Sequence, residues 1–224
     1  MSTDAPTELG RGAWLASRTL LAFSAVAVGL LAVIHQLAAP RIAAAEAEAQ
    51  LRTLRDILPA NLFDNALLED TVAIDLPPEL AIPGRNTLWI ARRQGAPVAA
   101  ILPVRSREGY SGDIDLLVGV YRDGRIAGVR VIQHRETPGL GDAIEAQRSD
   151  WIRQFDQRSL DNPTAAGWRV KKDGGAFDQL TGATITPRAV VKAVQGALQF
   201  HQRHADQIYV APEGATAPPS ETSS

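Results

Sequence analysis

Three short constellations hold the side chains in this sequence that could do chemistry. The first is Asp178-Gln179-Leu180-Thr181-Gly182-Ala183-Thr184-Ile185-Thr186, which runs directly into a segment of helical period. Small residues let backbone N–H groups approach an anion closely, and the following helix N-terminus supplies unpaired donors and a partial positive charge. Thr184 falls two residues before the expected N-cap, Thr186, with Pro187 at the first helical position. A capped loop whose threonines satisfy local backbone groups is the plainer use of the same residues. The second constellation, His134-Arg135-Glu136-Thr137-Pro138-Gly139-Leu140-Gly141-Asp142, gathers an imidazole, a carboxylate, a hydroxyl and glycines at a strand end, where ligand crevices form. Its alternative is a polar turn shaped by Pro and Gly. The third is His201-Gln202-Arg203-His204, two imidazoles at i and i+3 without a clear third ligand, which reads as a helix surface and not as a metal site. No nucleophile–base pair is complete in any of them, so no catalytic residue is assigned.

Composition narrows the chemistry further. The chain has no cysteine, which excludes disulfides, cysteine-ligated zinc, Fe–S clusters and a thiol nucleophile, so redox chemistry needs another kind of cofactor. Its 23 basic and 25 acidic residues nearly cancel, and the arginines are scattered, so no nucleic-acid face is visible. No G-x-G-x-x-G follows a strand, which argues against a nicotinamide site.

The elements that must position these residues begin with a membrane segment. Thr19–Ala39 contains no Asp, Glu, Lys or Arg, and as a helix it would be about 31 Å long, the thickness of a hydrocarbon core. A cleaved signal peptide is the alternative, but the polar stretch before it is long and the span is of membrane length, so a retained anchor is expected. The flanking arginines (Arg11 and Arg18 before; Arg41, Arg52 and Arg55 after) leave its orientation open. His35, near the end of the span, reads as an interfacial residue. The expected organisation is a tail at 1–18, a transmembrane anchor at 19–39, a helical stalk at 40–59, a folded domain at 60–210 and a disordered tail at 211–224.

Within the domain, strands are expected at Leu88–Arg93, Val98–Ser106, Ile114–Tyr121 and Arg125–His134, with a hairpin turn at Asp123-Gly124. Pro103 predicts that its strand lies at an edge or bulge. Helices are expected over about Asp142–Phe155 and Pro187–His204. The fold class is therefore α+β, an antiparallel β-sheet with flanking helices, preceded by one transmembrane helix.

The segments GYSGDIDLLVGVYRDGRIAGVRVIQHRETPGLGD and GGAFDQLTGATITPRAVVKAV resemble the RnfG family (RsxG in some bacteria), the G subunits of the Rnf ion-translocating electron transport complex. The detailed resemblance covers about residues 108–200, and the single anchor fits the family's architecture. The resemblance implies an FMN-binding domain with FMN attached through its phosphate to Thr184, by a flavin transferase that recognises Asp178, Thr181, Gly182 and Ala183 along with it. The family usually has Ser where this chain has Pro187. The resemblance also implies that Glu136, Thr137, Leu140 and Gly141 line the flavin pocket, with Thr186 beside the attachment site. The expected function is electron transfer within a membrane-bound translocase, with no independent turnover. The other Rnf membrane subunits would be partners, and the domain would lie in the periplasm, anchored in the bacterial inner membrane. The flavin-bearing C subunit of the sodium-pumping NADH:quinone reductase shares both motifs and is the nearest alternative. A non-redox anchored assembly subunit is another.

Overall fold

The computed structural model describes residues 5–209 apart from Asn86, so the expected tail at 211–224 lies outside the described residues. The chain divides into two compact units, Met1–Gln50 and Leu51–Ser224. The described part of the first is helical. Helix α1 (Ala5–Ile57) runs through Pro40 without interruption, and its apolar part from Leu20 is long and apolar enough to cross a membrane.

The second unit is built on a five-stranded antiparallel meander in the order β1 (Thr71–Ala73), β2 (Thr87–Arg93), β3 (Ala96–Ser106), β4 (Ile114–Tyr121), β5 (Ile126–Gln133). Both faces are covered, so the central strands read as nearly continuous apolar runs. On one face Leu88, Ile90, Leu102, Val104, Leu116 and Val118 pack with Val190, Val194 and Ala197 of helix α2 (Ile185–Ile208) and with a cluster of aromatic rings. On the other face Trp89, Ile101 and Leu117 meet Leu54, Ile57 and Leu58, which lie in the stretch expected to form a stalk and are fully buried. Arg130 donates to the Asp56 carbonyl at 2.6 Å, satisfying one of the last carbonyls of α1.

Gly119 and Gly128 sit opposite each other on β4 and β5 where the end of α1 crosses the sheet. A Cβ at Gly128 would lie 3.0 Å from the Ile57 carbonyl oxygen and 3.3 Å from its Cα, backbone atoms that cannot swing aside. Gly128→Ala is therefore expected to destabilise the domain by about 1–2 kcal/mol, read as a lower denaturant midpoint at constant slope.

Several expectations need correction. The single helix over Asp142–Phe155 is two short 3-10 turns, Gly141–Ile144 and Asp150–Phe155. Ser149 separates them: its hydroxyl donates to the Ala143 carbonyl (2.6 Å) and accepts from the Trp151 N–H (3.1 Å), so side-chain bonding replaces the helical ladder. Pro103 lies on the central strand and not at a sheet edge; it is tolerated because β2 is in register with β3 only as far as Ile101, leaving the ladder one-sided at that point. Helix α2 begins at Ile185 and, after a kink at His204, continues to Ile208. Strand β1 is an addition, too short at three residues to leave an alternating pattern.

Candidate functional site

The loop entering α2 is held from the core. Trp151 donates its indole N–H to the Asp178 carbonyl at 2.7 Å, and the Asp178 N–H donates to Gln154 Oε1 at 2.7 Å. Both holders belong to the 3-10 turn whose Phe155 stacks on Phe177 at 4.7 Å and meets Trp151 edge-on at 5.6 Å. The Asp178 backbone is thus clamped while its carboxylate turns outward to Lys171 at 2.5 Å. Trp151→Phe, which keeps an aromatic ring and deletes the donor, is expected to cost about 1 kcal/mol in chemical unfolding; an unchanged midpoint would mean that the clamp is idle.

Beyond the clamp, Thr181 and Gly182 are exposed. Gly182 takes φ +80°, a backbone conformation that favours glycine, and Leu140 Cδ2 lies 2.8 Å from where a Cβ would stand. Thr184 then occupies the N-cap position of α2 without a side-chain capping bond. Thr186, expected to be the cap, is instead the second helical residue; its hydroxyl donates to Glu136 Oε2. Pro187 remains within the first turn, where a missing N–H costs no intrahelical bond. Arg188 fixes this turn through two 2.6 Å bonds to Asp173, and the guanidinium holds the Asp173 carboxyl below its ordinary value.

The strand-end segment faces this helix start. Glu136 is only 4% exposed, and its Oε1 accepts the Ser111 N–H at 3.0 Å. The Glu136 N–H donates to His134 Nδ1 at 3.0 Å, which leaves Nε2 to donate to Glu145 Oε1 at 2.7 Å. His134 therefore braces the turn and stands behind the site. The Thr137 carbonyl accepts from the N–H groups of Leu140 and Gly141, closing the turn.

Together these segments enclose a cavity of about 540 Å³. Glu136, Thr137, Leu140 and Gly141 form one wall, and Gly182, Ala183, Thr184 and Thr186 the other. Asp178 and Thr181 do not line it. Tyr110 and Ile185 do, though neither was assigned from sequence. The signal at Tyr110 was an aromatic residue set between glycines, 69% exposed in the fold. The third constellation, expected on a helix surface, is partly buried instead. His201 is buried and bonded to the Tyr209 hydroxyl at 2.8 Å, while His204 bonds the Phe200 carbonyl at 2.9 Å and stacks on that ring.

Comparison with known proteins bears on the same segments. The FMN-binding domain family matches residues 109–199, which hold every residue lining the cavity, and the RnfG N-terminal region matches residues 13–57. The chain is 47% identical over 193 residues to the G subunit of the ion-translocating oxidoreductase complex of Pseudomonas aeruginosa (strain UCBPP-PA14), covering 86% of this chain and 90% of that one. It is 46% identical over 191 residues to the corresponding protein of Escherichia coli O157:H7 (85% and 91%) and 40% identical over 189 residues to that of Pseudoalteromonas atlantica (84% and 88%). Two family matches that span the helix and the cavity, with relatives aligned over most of their length, show that this chain belongs to the family of G subunits of ion-translocating oxidoreductase complexes.

Proposed function

We propose that this chain is the electron-carrying G subunit of an Rnf-type complex, with FMN joined by a phosphoester to Thr184 Oγ1. The observation that carries the reading is Thr184 itself: the motif's acceptor threonine is an N-cap residue without a capping bond, in the wall of a cavity of about 540 Å³. The residues fit the group. A phosphate on Thr184 would meet the unpaired N–H groups of the first turn of α2 and its partial positive charge. The exposed apolar rim of Tyr110, Leu140 and Ile185 suits a planar ring system, and the volume is in the range of cofactor sites.

When bound, FMN supplies reversible uptake and release of electrons; the protein holds it in place and sets its environment. Glu136 withdraws the Thr186 hydroxyl from the helix end, and Gly182 lets Leu140 close over the loop. Attachment is the work of a flavin transferase acting on the exposed loop of Asp178, Thr181 and Gly182: Thr184 Oγ1 forms an O–P bond to the FMN phosphate of a flavin dinucleotide donor, the pyrophosphate P–O bond breaks, and the nucleoside monophosphate leaves with the Thr184 hydroxyl proton. The apolar helix tethers the domain to its membrane partners at high effective concentration, on the periplasmic side of the inner membrane.

The test is intact mass after production with an exported flavin transferase. Wild type is expected to gain FMN minus water and Thr184→Val to gain nothing. Unmodified wild type, with the transferase active on another substrate, would sink the reading.

A further inference from the structure

Among the described residues Glu136 is the only carboxylate lining the cavity, and it is 4% exposed. Its hydrogen-bond partners there are neutral, and both carboxylate oxygens are held, Oε1 by the Ser111 N–H and Oε2 by the Thr186 hydroxyl. Burying a carboxylate charge without a cation is costly unless its lone pairs are satisfied, and here two backbone segments close on it as well. A Cβ at Gly109 would stand 2.9 Å from Oε1 and one at Gly141 3.0 Å from Oε2, so glycine at both positions lets the chain pack against the carboxylate. The charge has one orientation and faces the cavity that contains Thr184.

A fixed negative charge in a poorly solvated wall opposes the arrival of electrons beside it. We infer that Glu136 sets the reduction potential of the flavin held in this cavity, making it harder to reduce and a stronger donor than it would be beside a neutral wall. Thr186 and the Ser111 N–H moderate the effect by drawing charge toward themselves. His134 positions Glu136 through its backbone. This inference rests on the flavin reading above.

The test is a spectral redox titration of the flavin-loaded full chain in detergent, comparing wild type with Glu136→Gln and Thr186→Val. Glu136→Gln removes the charge at constant size. It is expected to shift the two-electron reduction equilibrium at least tenfold toward the reduced form, about 30 mV upward. Thr186→Val keeps the charge and removes one neutral donor, so its shift is expected in the opposite direction. If the Gln variant does not fold, the sign of the Thr186→Val shift decides. Loaded variants with unmoved potentials, or a downward shift in Glu136→Gln, would overturn the inference while leaving the flavin reading intact. In that case Glu136 would serve packing alone, visible as lower stability or loading. A wild-type chain without covalent flavin by mass would overturn both.

Discussion

Replacing Gly141 with alanine is expected to lower domain stability by about 2 kcal/mol and to leave most of the protein without flavin. The new methyl would lie 2.8 Å from Glu136 Cβ, 3.0 Å from Oε2 and 3.2 Å from Thr186 Oγ1, wedging apart the hydrogen bond that joins the two walls of the cavity. Relief would require moving either the start of α2 or the turn after β5, and each is pinned, by Arg188–Asp173 and by His134–Glu145 respectively. Gly139→Ala separates this clash from simple backbone strain. Gly139 has φ +78° with nothing within 4 Å of an added Cβ, so its substitution is expected to cost only about 1 kcal/mol and to spare loading. Unfolding curves and flavin absorbance on both variants check the contrast; equal losses would mean that the wedge is not the cause.

The second large effect is acid sensitivity through His201. Burial pushes its pKa down to about 4, with Asp123 opposing weakly, while the neutral ring bonds the Tyr209 hydroxyl. Burial likewise pushes the Tyr209 hydroxyl above its ordinary value, so both partners stay uncharged near neutrality. Because the unfolded chain takes up the proton at about 6.5 and the folded chain only near 4, the contribution is complete above pH 6.5. It falls as pH drops from 6.5 to 4 and is constant below that. The loss over that window is expected to be about 3 kcal/mol. Unfolding measured at intervals across about pH 4–7 should show this slope in wild type and a flatter profile in His201→Gln, which cannot titrate. Parallel profiles would assign the acid sensitivity to other groups.

The central strands were legible because branched apolar runs bounded by Asp123-Gly124 and similar turns admit few other structures. The site was legible as two motifs, since glycine at the tight positions 141 and 182 and hydroxyls at a helix start each answer a local requirement. What joins the motifs was not legible. Glu136 reaches Thr186 across fifty positions and Ser111 across twenty-five, and no local pattern encodes either contact. Trp151, Ile152 and Phe155 mimic a helical stripe, but Ser149 bonds the backbone and holds them on a 3-10 turn. Tyr209, which explains why His201 is buried, lies past the residue where the helix was expected to end. The use of Thr186 as a partner of Glu136 instead of a cap likewise depends on a residue brought in by the fold.

The measurement that bears most directly on the central claim is fragmentation of the tryptic peptide spanning residues 173–188 from protein made with the flavin transferase. This peptide holds three candidate hydroxyls, Thr181, Thr184 and Thr186. Only Thr184 combines a place in the cavity wall with the uncapped start of α2, whereas Thr181 lies outside the cavity lining and Thr186 is committed to Glu136. The FMN phosphoryl mass is expected on Thr184. Its appearance on Thr181 or Thr186, or a peptide carrying no flavin, would contradict the account.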